Sequence, residues 1–312
     1  GIVFYGVFLV SEGTVSMGGM VAAVLLSSRT LAPLAQIANL FGRANNAKTS
    51  YKRLASFMEE TQEDDVSVKN KGAIRREKLG SIEFKDTTYR YPEADLDTLR
   101  SINLSVNEGE KVAILGRNGS GKSTLMKLAS GLFKASDGLV MYDGVDIKQL
   151  HTDDLSRSIG IVLQDVQLFS GSIRENITMG RQDINQDDLI NAGKLSGLDD
   201  FVSKIPGGYD LQLSDGGKGL SGGQRQSIAL ARAIVHKPTH FILDEPTSAM
   251  DMNAENIFIS QMGSIMQDST MLIVTHRMPL LNLVDRIIVM NEGQIVEDGP
   301  KEEIINKLNQ PR

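Results

Sequence analysis

One eight-residue segment constrains the fold of this chain more than any other. It occupies residues 116–123 and reads Gly116-Arg117-Asn118-Gly119-Ser120-Gly121-Lys122-Ser123. It fits the pattern G-x-x-x-x-G-K-[ST], which requires an apolar strand before it and a helix after it. Both are predicted here, because residues 112–115 form an apolar run and residues 124–130 have a helical pattern. A parallel α/β sheet is therefore the predicted framework.

The same segment predicts a phosphate-binding site. Glycines let the backbone curl so that successive N–H groups point at phosphate oxygens, and the helix that follows adds the positive end of its dipole. Lys122 is predicted to neutralise the β and γ phosphates of a nucleotide, and Ser123 to supply a hydroxyl ligand to Mg²⁺. We therefore expect ATP and Mg²⁺ as cofactors. The residues predicted to hold the nucleotide are Gly116, Asn118, Gly119, Ser120, Gly121, Lys122, Ser123 and Thr124.

Two adjacent carboxylates follow a second apolar run. Residues 241–243 are Phe, Ile and Leu, and Asp244 and Glu245 come directly after them. Because alternate side chains of a strand point in opposite directions, we expect Asp244 to reach the Mg²⁺ ion while Glu245 faces the attacking water. Glu245 is therefore the predicted general base for hydrolysis.

Short apolar runs alternate with helical patterns through the rest of the chain. The runs at residues 111–115, 159–163, 241–243 and 271–274 are each bounded by turn residues, which is the rhythm of a parallel sheet. Two segments, 139–147 around Asp143-Gly144 and 286–296 around Glu292-Gly293, resemble hairpins. They predict antiparallel strands at the edges of an α/β fold.

The segment Leu220-Ser221-Gly222-Gly223-Gln224 resembles the LSGGQ signature of the ATP-binding cassette (ABC) family. The resemblance extends over about residues 80–310, because the remaining landmarks of that family follow in order. They are the adenine-stacking aromatic residue Tyr91, the Q-loop Gln164, the D-loop that ends at Asp251, and the switch histidine His276.

This resemblance implies a P-loop ATPase domain with an antiparallel β subdomain and a helical signature subdomain. In the family, the signature of one copy closes over the γ phosphate held by the P-loop of another copy. A homodimer with two shared ATP sites is therefore expected. His276 is expected to orient the γ phosphate and the water, and Gln164 to contact Mg²⁺ or water. The residues expected to bind ATP from the second copy are Ser221, Gly222, Gly223, Gln224 and Asp251.

The first 41 residues differ from the rest of the chain. An apolar run ends at residue 10, and a second apolar stretch extends from residue 17 to 41 with a polar island at 27–30. The second stretch is long enough to cross a membrane, and the basic residues after it place that end in the cytosol. A buried or amphipathic soluble helix is the alternative. We expect a transmembrane remnant at 1–56, a linker at 57–80 and the ATPase domain at 81–312, within a longer protein.

A membrane segment joined to an ATPase domain on one chain resembles ABC exporters. Within them, the sequence around residues 175–177, 206–209 and 215–224 resembles type I secretion ATPases, which export large repeat adhesins and toxins. Asp215 departs from this pattern, since exporters commonly have Glu there. The resemblance implies the bacterial inner membrane, a protein cargo, and membrane-fusion and outer-membrane partners. A lipid, drug or peptide exporter is the alternative.

Composition narrows the other possibilities. The net charge of −6 argues against nucleic acid held by a broad basic face. The chain has no cysteine, and its four histidines lack the spacing of a zinc site. A DNA-repair or chromosome-structuring ATPase would separate Lys122 from Ser221 by a coiled coil, and no heptad run lies between them. A non-catalytic module that gates a channel is a second rival, against which Glu245 and His276 argue.

Overall fold

The computed structural model describes residues 2–63 and 72–309 of the chain. The chain divides into two compact units, Gly1–Val68 and Lys69–Arg312. The first is helical and the second is mixed α/β. Each is described separately below.

The first unit contains two helices, α1 (Ile2–Ser11) and α2 (Met17–Glu63). The hydroxyl groups of the polar island at residues 27–30 form hydrogen bonds with carbonyl oxygens of the same helix, α2. Ser27 and Ser28 donate to carbonyl oxygens one turn earlier, at 2.7 and 2.9 Å, and Thr30 does the same at 2.6 Å. A crossing at residues 17–41 was expected, but none of the helices in the described ranges has the combination of length and apolar content that a bilayer crossing needs.

Helix α2 continues into the segment that composition assigns to a linker. Residues 57–63 are helical, because five of these seven residues are Met, Glu or Gln, which are strong helix formers. Residues 64–71 of the expected linker lie outside the described residues. Beyond them, Ile74 forms an isolated bridge with Leu150, and Leu79 is buried.

The second unit alternates strands and helices, as the spacing of apolar runs predicts. Its strands are β1 (Ile82–Tyr89), β2 (Leu99–Val106), β3 (Lys111–Gly116), β4 (Asp137–Tyr142), β5 (Val145–Asp146), β6 (Ile159–Val162), β7 (Gly171–Ser172), β8 (Gln212–Leu213), β9 (His240–Asp244), β10 (Thr270–Val274), β11 (Arg286–Asn291) and β12 (Gln294–Pro300). Its α-helices are α3 (Lys122–Ala129), α4 (Thr152–Ser158), α5 (Ile173–Thr178), α6 (Gln186–Leu195), α7 (Asp199–Val202), α8 (Gly222–Ile234), α9 (Met252–Ile265) and α10 (Lys301–Asn309).

Six of the strands form one sheet in the order β12-β11-β3-β10-β9-β6. All neighbouring pairs in it are parallel except β11 and β12. The four apolar runs predicted as strands are β3, β6, β9 and β10, so this prediction is confirmed. The predicted hairpin around Glu292-Gly293 is also confirmed, because it joins β11 to the antiparallel edge strand β12.

A second sheet has the order β2-β1-β4-β5 and is antiparallel. It contains the other predicted hairpin, in which β4 and β5 meet at Asp143 and Gly144. Strands β7 and β8 form a separate short antiparallel pair. The predicted α/β fold with an antiparallel β subdomain and a helical subdomain is therefore confirmed.

The six-stranded sheet is buried on both faces. Along β10, Met271 and Ile273 belong to one apolar cluster, together with the helical subdomain. Leu272 and Val274 belong to the other cluster, together with α3 and the antiparallel sheet. Because successive side chains of a strand point to opposite faces, a continuous apolar run is what a strand covered on both sides requires.

Strands β3, β10, β9 and β6 are parallel neighbours, so their carboxyl ends lie at one edge of the sheet. The segment 116–121 follows β3, and Gln164 follows β6. Strand β9 ends at Asp244, with Glu245 next, and His276 comes shortly after β10. Ligands of open α/β sheets bind outside this edge, and the fold gathers the predicted site residues there.

Candidate active site

A cleft of about 710 Å³ opens at the carboxyl edge of the parallel strands. Its volume lies within the range of small-molecule sites, roughly 300–1,000 Å³. Eleven of the predicted site residues line it: Tyr91, Asn118, Gly119, Gly121, Lys122, Ser123, Thr124, Gln164, Asp244, Glu245 and His276.

The loop between β3 and α3 depends on glycine at two of its positions. Gly121 has a φ of 98°, and a Cβ there would lie 2.6 Å from Leu99 Cδ2. Gly116 has a φ of 151°, and a Cβ there would collide with the carbonyl oxygen of Met290. Among the described residues no side chain caps α3, so its first N–H groups are available to an anion.

Two of the predicted loop residues, Gly116 and Ser120, do not line this cleft. Ser120 is buried, and its Oγ has no hydrogen-bond partner among the residues that the structure describes. Gly116 lines a neighbouring cleft, which it shares with Arg117 and His276. The loop therefore separates two openings at the same edge.

Lys122 is held inside its own loop. Its Nζ donates to the carbonyl oxygens of Gly116 and Arg117, at 2.8 and 2.9 Å. Burial lowers the pKa of Lys122, while the carboxylates of Asp244 and Glu245 oppose that shift. An ammonium group with this much lost hydration gains from an additional anionic partner in the cleft.

Asp244 lies at the floor of the cleft and is only 3% exposed. Burial raises its pKa, and a hydrogen bond from the Ser123 side chain opposes the shift. A buried carboxylate beside a hydroxyl forms a set of oxygen donors, which is what a hard cation such as Mg²⁺ prefers. Among the described residues no group of three or more His, Asp or Glu side chains could hold a metal.

Glu245 has a backbone conformation that is unusual for its residue type. Its φ is 49°, in the left-handed region that non-glycine residues rarely occupy. Its N–H donates to Val274 O at 2.9 Å, which ties the end of β9 to the end of β10. Its Oε1 lies 3.6 Å from His276 Nε2. A carboxylate and an imidazole therefore face the same part of the cleft.

Tyr91 is fixed at the other end of the cleft. Its hydroxyl lies 3.1 Å from Thr124 Oγ1. The edges of its ring meet Tyr89 and Phe133, with ring centroids 5.1 and 5.7 Å away. A half-buried aromatic ring held from two sides offers a surface on which a base can stack.

The predicted signature residues lie outside the lining of this cleft. Ser221 is exposed and caps α8, where its Oγ accepts from Gln224 N at 3.2 Å. Ser221 N in turn donates to Gln224 Oε1 at 2.8 Å. Within residues 2–63 and 72–309, the Ser221 hydroxyl accepts a hydrogen bond but donates none, so it could donate to an anion. Asp251 is likewise exposed and caps α9, accepting from Ala254 N at 2.8 Å.

A second, smaller cleft of about 220 Å³ lies between the signature helix and the loop after β6. Gln164 lines it as well as the larger cleft. Gly222 and Ala249 form part of its wall, and a Cβ added at Gly222 would lie 2.9 Å from the Cβ of Ala249. Gln164 therefore connects the two openings.

Sequence reasoning missed two residues that shape the site. Thr98 lines the larger cleft, and no sequence signal marks it. Gln226 is buried and joins α8 to the segment after β9, donating to Glu245 O and accepting from Ala249 N, both at 3.1 Å. Its signal is weak, namely a polar residue at a position of the amphipathic helix that faces inward.

Comparison with known proteins agrees with this geometry. The ABC transporter family model matches residues 99–248. The leukotoxin export ATP-binding protein LtxB of Aggregatibacter actinomycetemcomitans is 37% identical over 300 residues, covering 96% of this chain and 42% of LtxB. The leukotoxin translocation ATP-binding protein LktB of Mannheimia glucosida is 38% identical over 304 residues, covering 97% of this chain and 42% of LktB. The chain therefore spans less than half the length of these curated relatives.

A solved structure gives the same result. A bacterial Atm1-family ABC exporter with ATP bound superposes with a TM-score of 0.72 at 26% identity, over 99% of this chain and 53% of that chain. The predicted resemblance to ABC exporters, including relatives that export toxins, is confirmed by these matches.

Proposed function

Because residues 99–248 belong to the ABC transporter family, we propose that this chain binds MgATP and hydrolyses it between two copies of itself to power protein export. The observation that carries the proposal is the cleft at the sheet edge, where Lys122, the Asp244-Glu245 pair and His276 meet.

Phosphate binding is assigned to the loop and to Lys122. The backbone N–H groups of Asn118, Gly119 and Gly121 and the first turn of α3 would donate to the phosphate oxygens. Lys122 Nζ, which now donates to two carbonyl oxygens, would turn to the β and γ phosphates. The adenine of ATP would stack on the ring of Tyr91.

Magnesium is assigned to Ser123, Asp244 and Gln164, whose side chains all line the cleft. The buried carboxylate and the hydroxyl that donates to it are suited to a hard cation. When bound, Mg²⁺ would neutralise negative charge on the phosphates. Burial raises the pKa of Asp244 although Lys122 and Lys127 oppose that shift, so the buried carboxylate would gain from a bound cation.

Hydrolysis is assigned to Glu245 and His276. Water would attack the γ phosphorus, the bond to ADP would break, and Glu245 would accept the proton of the water. His276, 3.6 Å from Glu245, would donate a hydrogen bond to the γ phosphate and keep the water in line. Gln164 would contact the same water or the metal.

A second copy of the chain completes the proposed site. Ser221, Gly222, Gly223 and Gln224 lie outside the cleft that contains Lys122, and Ser221 is exposed. In the proposed homodimer they would close over the γ phosphate held by the other copy, with Asp251 at the same interface. Loss of that phosphate would then open the dimer.

The cargo is proposed to be a protein, as the names of LtxB and LktB suggest for those proteins. A lipid, drug or peptide cargo is the alternative, and a non-transport ATPase is less well supported.

Residues 1–56 are proposed to be the end of a membrane domain, because α1 and α2 expose large apolar side chains such as Phe4, Phe41 and Leu40. The proposed location is the bacterial inner membrane with the ATPase domain, residues 81–312, on its cytoplasmic side. Membrane-fusion and outer-membrane proteins are proposed partners.

The shared site can be tested by the concentration dependence of turnover. We expect the ATPase rate of the 312-residue chain to rise faster than linearly with protein concentration, because each active site needs two copies. Steady-state phosphate release measures the rate, and sedimentation in ATP should detect the dimer. A linear rate from a species that remains monomeric would contradict the shared site.

A substitution at Tyr91 tests the proposal that the adenine of ATP stacks on its ring. Tyr91→Ala is expected to weaken ATP binding roughly 5- to 150-fold, since stacking on an aromatic ring contributes about 1–3 kcal/mol. Turnover at saturating ATP should persist. Tyr91→Phe is the matched control, because it keeps the ring and loses only the contact with Thr124. Titration calorimetry measures the affinity, and an unchanged value for Tyr91→Ala would leave Tyr91 with a packing role only.

A further inference from the structure

Glu255 is a buried carboxylate on the first turn of α9, and it does not line the cleft. Its residue is 5% exposed. Thr247 Oγ1 donates to Glu255 Oε1 at 2.7 Å, and that bond is buried. Thr247 lies in the segment that leads from Glu245 to α9. The carboxylate of Glu255 therefore holds the segment between Glu245 and α9 through a contact outside the cleft.

The same carboxylate oxygen is paired with Arg277. Arg277 Nη1 lies 3.0 Å from Glu255 Oε1, and the arginine side chain is 37% exposed. Its Nη2 also donates to the carbonyl oxygens of Ser248 and Met250, at 3.4 and 3.5 Å. Arg277 therefore contacts two carbonyl oxygens of the segment between Glu245 and α9, and also the Glu255 carboxylate on α9.

Arg277 is the residue directly after His276, and Thr247 is two residues after Glu245. The ion pair therefore joins the segment that carries the imidazole to the segment that carries the carboxylate. Those two groups are 3.6 Å apart across the cleft. A shift of either segment would change that distance.

We propose that Glu255 and Arg277 are positioning residues for hydrolysis, and that their ion pair holds His276 in register with Glu245. This inference rests on the proposed ATPase function and deepens it. Neither residue lines the nucleotide cleft, so they act only through the two segments. The carbonyls of Ser248 and Met250 belong to the segment that ends at Asp251, which is proposed to lie at the dimer interface. The pair therefore also links that interface to His276.

The ion pair of Glu255 and Arg277 is suited to this role because both residues make further hydrogen bonds, Glu255 with Thr247 and Arg277 with two carbonyl oxygens. The Glu255 carboxylate is buried, so removing Arg277 leaves a buried charge uncompensated, and the segments would rearrange to rehydrate it. Reacting groups that are displaced by about 1 Å lose rate by about 10²-fold. Binding of the phosphates, which depends on the loop after β3, would be unaffected.

The experiment compares Glu255→Gln, Arg277→Gln and the double variant in the 312-residue chain. We expect kcat to fall about 10- to 100-fold in each single variant while the Kd for ATP stays unchanged. Because the two residues act as one unit, the double variant should be no slower than the slower single variant. Asp298→Asn is the control. It weakens the ion pair of Arg286, whose Nε lies 2.6 Å from Asp298 Oδ1, away from the cleft, and should leave kcat unchanged.

The outcomes separate the two proposals. A wild-type chain that binds ATP without any turnover would overturn the proposed hydrolysis, and with it the positioning role. A wild-type chain with turnover and single variants of normal kcat would overturn the positioning role alone. Losses of kcat that multiply in the double variant would also overturn it. So would a loss of kcat that merely accompanies a lower melting temperature, if Asp298→Asn lowers both in the same way. Should Glu255→Gln not fold, Arg277→Gln gives the same kcat and Kd test at a more exposed position.

Discussion

Glu245→Gln is expected to slow ATP hydrolysis by roughly 10²- to 10⁴-fold, the contribution of a general base, while leaving ATP bound. The amide keeps the shape of the carboxylate and the backbone bond to Val274 O, but it cannot accept the proton of the attacking water. Phosphate release at saturating ATP measures the rate. Sedimentation should show that the variant persists as an ATP-bound dimer, because the γ phosphate is not removed.

A matched control for this variant exists in the same unit. Glu292 also has a left-handed backbone, with a φ of 45°, and its side chain is 81% exposed. Glu292→Gln therefore repeats the chemical change in a similar conformation outside the cleft, and its turnover should equal that of the wild type. Normal turnover of Glu245→Gln would remove Glu245 from the role of base.

Lys122→Ala is expected to weaken ATP binding itself. Hydrogen bonds to charged groups contribute about 1.5–3 kcal/mol, which corresponds to a loss of affinity of roughly 10- to 150-fold. The nucleotide-free protein should tolerate the change, because burial already lowers the pKa of this lysine and the ammonium is costly without an anion. Calorimetric titration with ATP measures the affinity.

The control for Lys122→Ala lies on β3, the strand that precedes the loop and Lys122. Lys111 begins β3, and its Nζ donates to Gln267 O at 3.4 Å, at the end of the sheet opposite the cleft. Lys111→Ala should bind ATP as the wild type does. Equal affinities for Lys122→Ala and the wild type would show that the loop after β3 is not the phosphate site.

The sheet and the candidate cleft at its edge could be predicted because each depends on local sequence. The loop at 116–123 fixes the strand before it and the helix after it. The apolar runs predict strands because a sheet covered on both faces excludes polar residues from its interior. Since parallel strands end at one edge, the sequence also predicts that Lys122, Asp244 and His276 meet.

Other features could not be predicted because they arise from contacts between distant segments. Gln226, Glu255 and Arg277 read as ordinary polar residues of helices and loops, and their roles depend on which backbone carbonyls approach them. The extension of α2 through residues 57–63 was missed because a charged composition was taken as a linker, whereas the same residues are strong helix formers. The proposed shared site cannot be seen in a single chain, since Ser221 does not line the cleft that contains Lys122.

Lys122, Asp244, Glu245 and His276 each lie close after the end of a strand, and this limits how the connections between strands affect the site. The distance between two strand ends is set by the spacing of the sheet, about 4.8 Å between neighbours, and not by the length of the connection between them. The longest connection, which contains α5, α6 and α7 between β6 and α8, can therefore gain or lose residues without moving Asp244 relative to Lys122. Surfaces that recognise different partners can change in that connection while the chemistry at the sheet edge is conserved.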